Sequence, residues 1–310
     1  MTDATPTTPS ARPVQVTTVP VGDAAAGPYG ITTGPDGALW STLVHAGAVA
    51  RLGPDGAVDR FDLDAPDCGP SVITAGPDGA LWFTRLKDHR IGRISTDGRS
   101  RSFDLPGSGS GPFGIAAGPD GALWFTQMHA DAIGRITTDG RVTAFPLPVA
   151  GAFPSFITAG PDGALWFTLN QADAVGRITT EGAIDLYELP TAGAAPVGIT
   201  AGPDGALWFV EIGAGRIGRI TTGGEVSEFP LPDPAARPHA IAPGPDGRCW
   251  YTEWGTGRVG AVTVDGAVTT YDLPLADAEP HGIAAGPDGA VYAALEIGHL
   301  ARLVPAAPTT

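Results

Sequence analysis

The sequence predicts an all-β chain folded as a single seven-bladed β-propeller with four-stranded antiparallel blades. Three observations carry this. Aromatic residues recur at Trp40, Trp82, Trp124, Trp166, Trp208, Trp250 and Tyr292, each 42 positions after the last without drift. Between them one order of short apolar runs and turn signals repeats, clearest in GIAAGPDGALWFTQMHADAIGRITTDGRVTAFPLP from Gly114. No stretch sustains the apolar spacing of roughly 3.6 residues that marks a helix. A period of about 40–45 residues, with four strands and one aromatic per unit, is that of a propeller blade, and seven such units close into a ring.

Within a unit the elements follow in order. The first strand resembles Gly-Ile-Ala-Ala and ends in Gly-Pro-Asp-Gly, where glycine supplies the positive φ of a hairpin turn. The second is Ala-Leu-Trp-Phe-Thr, and the third is Ile-Gly-Arg-Ile-Thr, followed by Thr-Asp-Gly. The fourth alternates, as in Val142-Thr143-Ala144-Phe145. The last unit runs out near Leu303 after three strands. The segment from Val14 to Pro20 ahead of Tyr29 resembles the fourth-strand segment from Val142 to Pro148 ahead of Ser155. It is expected to supply the missing strand and clasp the ring, which removes two exposed edges. The propeller is therefore expected to span residues 14–304, with residues 1–13 a disordered N-terminal tail and 305–310 a loose C-terminal one.

Most of what repeats is expected to be structural. Asp36, Asp78 and Asp120 are turn residues, and each Trp fills the space between adjacent blades. Arg93, Arg135, Arg177 and Arg219, in the Ile-Gly-Arg-Ile runs, are expected to hold blade to blade.

Composition bounds the partners. No apolar run approaches the ~20 residues that a membrane helix needs. The net charge of −15, from 18 basic and 33 acidic residues, repels phosphate backbones and anionic lipid. Nucleic acid and membrane are therefore not expected as partners. Cys68 and Cys249 lie in different repeats and form neither a disulfide framework nor a CxxC site. The polar first residues lack the apolar core of a signal peptide, so a cytoplasmic location is expected. A closed acidic ring is expected to be a monomer.

Function is sought where the repeat breaks. Eleven residues before each aromatic, always after a proline, stand Tyr29, Ser71, Phe113, Ser155, Val197, His239 and His281. This position opens the innermost strand of each blade, and seven residues without shared chemistry around one channel read as a pocket lining. His239 and His281 fall in successive blades. Glu279 lies two residues before His281, where the preceding blade has Arg237. Glu211 and Glu253 follow their aromatics by three residues, whereas Glu296 follows Tyr292 by four. The extra residue reads as a bulge, a device that re-aims side chains. Two His and two Glu converging from blades 6 and 7 suit a divalent metal, an acid/base pair, or both. By residue type alone the set favours Mn²⁺ or Zn²⁺ over Mg²⁺. His45, His89, His129 and His299 lack such partners and are expected to be solvated. No phosphate loop or Gly-x-Ser-x-Gly elbow is present.

Nearly the whole chain resembles one family, the virginiamycin B lyases or streptogramin B lyases. The resemblance runs through Gly27-Pro28-Tyr29-Gly30-Ile31, Pro154-Ser155-Phe156-Ile157-Thr158 and Leu207-Trp208-Phe209-Val210-Glu211-Ile212. It continues through Ala236-Arg237-Pro238-His239-Ala240-Ile241, Thr252-Glu253-Trp254-Gly255 and Ala278-Glu279-Pro280-His281-Gly282-Ile283, and the displaced Glu296 adds to it. The resemblance implies a lyase that opens cyclic depsipeptide antibiotics of the streptogramin B group, and so confers resistance, by eliminating the ester carboxylate from a threonine unit with Mg²⁺ required. It implies His281 as acid/base with Glu279 in support, His239, Glu279 and Glu296 at the metal, and Tyr29 against the substrate. Phe113, on the same ring, and Trp254, within the matching run, complete the expected substrate-binding set. Departures fall at Arg85, Gln127 and Leu169, where the family tends to carry glutamate. Two other readings remain open at this point: a metal-dependent esterase or lactonase using the same residues on water, and a propeller that binds without chemistry.

Overall fold

The computed structural model describes residues 14–107 and 109–305; the two expected tails lie outside the described residues except for Pro305. Among the described residues there are 28 strands in seven four-stranded antiparallel sheets, and no helix. Each sheet is one repeat in chain order, apart from the last. There Pro280–Ala285, Val291–Leu295 and His299–Val304 are completed by Gln15–Pro20 from the other end of the chain, in register from Gln15 opposite Val304 to Pro20 opposite His299. The expected clasp is thus present.

The first strands pack side by side around the axis, and in five blades a threonine on the second strand ties them together. The Thr42 hydroxyl accepts the Gly30 N–H at 2.8 Å and donates to the Ser71 carbonyl of the next blade at 2.5 Å. Thr84, Thr126, Thr168 and Thr252 reach the carbonyls of Phe113, Ser155, Val197 and His281 in the same way. Val210 and Ala294 occupy this position in blades 5 and 7 and carry no hydroxyl. The two carbonyls left without a threonine belong to His239 and Tyr29.

The tryptophans fill the spaces between blades as expected: Trp40 packs on Ile73, Leu81 and Phe83 of blade 2. The arginines correct the sequence reading. Arg51 Nε donates to Asp36 Oδ2 at 2.8 Å, and Trp40 Nε1 donates to the other oxygen at 3.0 Å, all within one blade. Arg93, Arg135, Arg177 and Arg219 pair likewise with Asp78, Asp120, Asp162 and Asp204 at 2.7 Å. The repeated Arg therefore locks the turn aspartate to the indole of its own sheet rather than joining blades. A carboxylate so engaged stays ionised, and each of these aspartates has its pKa lowered despite partial burial.

The bulge is also placed differently. In every blade the register slips on the first strand, between Pro28 and Ile31 in blade 1 and between Pro280 and Ile283 in blade 7. The extra residue thus lies at the ring position itself and aims those side chains. The strand Val291–Leu295 pairs without interruption to His299–Val304, and its turn holds three residues where the turn from Glu253 to Arg258 holds four. Glu296 opens a shortened turn, the place Trp254 takes in blade 6.

Candidate active site

The site lies at the end of the ring where each first strand begins. His239 and His281 are there because the bulge turns them toward the axis, and both are only 8% exposed. Their ring centroids are 4.9 Å apart, edge to face. Tyr29 from blade 1 stacks on His281 at 4.5 Å, and its hydroxyl shares a hydrogen bond with His239 Nε2 at 3.2 Å. An aromatic file continues along the channel: Phe113 meets Tyr29 at 6.1 Å, Phe156 meets Phe113 at 5.3 Å, and Phe156 meets His239 at 5.9 Å. Trp254 stacks more loosely on His281, at 6.5 Å. Tyr29, Phe113, Trp254 and the two histidines are thus brought together, as the sequence predicts. Phe156, one residue past the ring position, is a wall residue the ring pattern missed.

Glu279 and Arg237 share a backbone feature. The residue two before the ring position is left-handed in every blade; Gly27, Gly69 and Gly111 take it in blades 1 to 3, and Phe153, Ala195, Arg237 and Glu279 take it in blades 4 to 7, with φ of 42° to 54°. A side chain there costs on the order of 1 kcal/mol against glycine. It sets Glu279 on the mouth, where with Arg237, Trp254, Ala235 and Gly255 it lines an open cavity of about 390 Å³. Arg237 lies 5.4 Å over the Trp254 ring.

Glu296 is the hub. Its Oε2 accepts from His281 Nε2 at 2.6 Å, and its Oε1 accepts from His45 Nε2 at 2.6 Å. Hydrogen bonding from His281 holds its carboxyl down at about 2, with His45 adding to the effect against partial burial. His45 is exposed, as expected, but it is not without a partner. Its place, five residues after Trp40, is where blade 3 carries His129, so the repeat gave no sign that only His45 would meet a carboxylate across the closing seam.

Burial and the neighbouring His281 lower the pKa of His239 to about 3, so its imidazole is neutral. Burial, and then the charge of Glu296, raise that of Tyr29, whose hydroxyl stays protonated. The Nδ1 atoms of both ring histidines are buried without a partner. Glu279, His281 and Glu296 each place one ligand atom within 4.8 Å of the others. That donor set fits a divalent cation, and its two carboxylates suit the oxygen preference of Mg²⁺. His239 stands beside this trio, with Nε2 on the Tyr29 hydroxyl.

The three departures are accommodated inside the blades. Arg85 is 1% exposed, and its guanidinium lies between Asp64 and Asp88. Leu169 joins a core with Ile133 and Ala152, and Gln127 is buried at 4% exposure.

Comparison with known proteins follows the same outline. The sequence model of the virginiamycin B lyase family matches residues 14–303. The virginiamycin B lyase of Saccharopolyspora erythraea is 57% identical over 54 residues, a stretch covering 17% of this chain and only 18% of that protein's length. The selenomethionine-substituted virginiamycin B lyase of Staphylococcus aureus superposes with a TM-score of 0.91 at 42% identity, over 94% of this chain and 99% of that one. A catalytically inactive His-to-Ala variant of the Staphylococcus aureus enzyme, solved with quinupristin, gives 0.91 at 41% identity over 94% and 99%. The match runs from the clasping strand to the last strand of the ring, and the chain belongs to the virginiamycin B lyase family.

Proposed function

We propose that the protein is a lyase that linearises streptogramin B-type cyclic depsipeptides by eliminating the ester carboxylate from their threonine unit, and so confers resistance to them. The observation that carries this is the convergence of Glu279, His281 and Glu296 at the mouth of an aromatic-lined channel. The bound quinupristin in the Staphylococcus aureus relative supports the substrate class.

Glu279 and Glu296, with His281 and the neutral His239 beside them, would hold a divalent cation, Mg²⁺ by the oxygen count, with Mn²⁺ and Zn²⁺ admitted by the imidazoles. Such an ion, when bound, supplies a Lewis acid for the carbonyl next to the reacting carbon. The chain's own groups do the rest. His281, its ring held on Glu296 at 2.6 Å, is the base that takes the threonine Cα proton. The electron pair of the C–H bond becomes the Cα=Cβ double bond, and the Cβ–O bond breaks with its pair leaving on the carboxylate. The imidazolium so formed faces the ionised Glu296, which stabilises it. Tyr29 fixes the plane of the His281 ring by stacking. Phe113 and Trp254 give the macrocycle apolar walls, and Arg237 and Glu279 border the mouth.

The deciding experiment is the mass of the product from a streptogramin B substrate, with Mg²⁺ and with a chelator. A linear product isomeric with the substrate, formed only with the metal, is expected. A product heavier by one water overturns the elimination and makes the same residues those of an esterase or lactonase.

A further inference from the structure

Six of the seven blades fill their outer seam in one way. The indole of the second strand stacks on an aromatic ring of the fourth at 5.2–5.6 Å, from Trp40 on Phe61 through Trp250 on Tyr271. In five of these six the edge of that ring rests on a glycine of the next blade. A Cβ added at Gly98, Gly140 or Gly266 would come within 2.2–2.5 Å of the ring of Phe61, Phe103 or Phe229.

The seam between blades 7 and 1 lacks this filling. Tyr292 stands in place of the indole. Val19, opposite Leu300, stands where Phe61 lies opposite Val49. Gly56, at the place of Gly98, meets nothing within 4 Å. The residue two beyond this glycine packs against the preceding blade's aromatic cluster as Val142, Ile184, Val226 and Val268, but Val58 is 41% exposed. A cavity of about 300 Å³ takes up the space, lined by Val19, Leu39, Leu52, Gly56, Tyr292 and Arg302 among others. It lies at the end of the strands away from Glu296.

We propose that this seam is a binding site for a small molecule carrying one neutral six-membered aromatic ring. The chain itself names the occupant, because its other six blades hold a phenyl or phenol ring at the same place. A bound ring would stack on Tyr292, rest its edge on Gly56 and cover Val58. The rim argues for a neutral group. Arg302 pairs with Asp288 at 2.7 Å, and the Tyr292 hydroxyl donates to Asp288 at 3.0 Å, so no charge is left over for an ionic ligand. A phenol hydroxyl would find an acceptor in Asp288. The site is separate from the channel and does not depend on the lyase reading.

The test is a titration of the protein with p-cresol by ligand-observed NMR, comparing the unaltered chain with Val19→Phe, which supplies the ring from within. For so small a ligand a dissociation constant on the order of 1 mM is expected, weakened roughly tenfold or more in the variant. Val19→Phe should also melt at a higher temperature. Equal binding by both chains, or no binding up to the solubility of the ligand, overturns the proposal. Should the variant fail to fold, intermolecular NOEs in the unaltered chain decide. Contacts from the cresol methyl to Leu39 and Leu52 support the site, and contacts only to Ile157 and Ile283 in the channel overturn it.

Discussion

The imidazole of His45, in the first complete blade, holds the carboxylate of Glu296, in the last, at 2.6 Å, while the other oxygen of that carboxylate is held by His281 at the same distance. On the proposed mechanism His45 is a positioning residue, acting on the reaction through Glu296. Partners of this kind behind a metal-site ligand are worth roughly 10–100-fold in affinity or activity. His45→Ala should raise the Mg²⁺ concentration for half-maximal activity by about tenfold, with little change at saturating metal. His45→Gln, which still offers an N–H, should restore most of the loss. A metal titration that is the same for all three chains removes His45 from the site.

His281→Ala should abolish turnover, with a fall of at least about 10²–10⁴ from loss of the proton acceptor. The fold should survive, because this side chain packs against site residues and not in the blade cores. Steady-state rates, together with a near-UV circular dichroism spectrum, check both halves. An active variant, or an unfolded one, contradicts the role.

Glu296→Gln should keep one acceptor oxygen but lose the charge. It should raise the metal requirement more than His45→Ala does. An unchanged requirement would take Glu296 out of the metal site.

Glu211 gives a pH prediction away from the mouth. Its carboxylate oxygens are buried without a partner, and burial, then the charge of Glu228, push its pKa up to about 8. Between the ordinary carboxylate range and this value the unfolded chain has released the proton while the native chain keeps it. Stability from this group is therefore full at acid pH and is lost as pH rises toward about 8. Glu211→Gln should melt like the parent near pH 5 and a few degrees above it near pH 9. A parent and variant whose melting temperatures differ equally at both ends would refute the shift.

The threonine ties between blades predict a stability effect. Thr84→Val keeps the shape but leaves the Phe113 carbonyl and the Val72 N–H short of a partner. Losses of this kind cost about 1–3 kcal/mol each. Calorimetry should show a fall of several degrees with the unfolding still cooperative; an unchanged melting temperature would show that the ties are replaceable.

The ring, its clasp and the company of Tyr29, His239 and His281 were legible because a strict period makes sequence offset equivalent to position around an axis. Local chemistry across the closing seam was not. Glu296 stood out as an offset, but the offset reads equally as an inserted strand residue or a shortened turn, and only the pairing of Leu295 with His299 decides. His45 is indistinguishable from His129 by position. The Arg–Asp clamp was misplaced for a related reason. A residue that recurs from blade to blade satisfies the period whether it bonds within a sheet or between sheets, and the spacing does not say which.

The clasp has a consequence for the timing of activity during synthesis. Tyr29 and His45 leave the ribosome early, whereas Glu279, His281 and Glu296 leave last, and the blade that carries them is finished only when Gln15–Pro20 joins it. Contacts between such distant parts of a chain form late in folding. A growing or shortened polypeptide can stack six blades and still have no working centre. Ring closure and competence to react arrive together, so catalytic activity would report complete folding more strictly than strand content does.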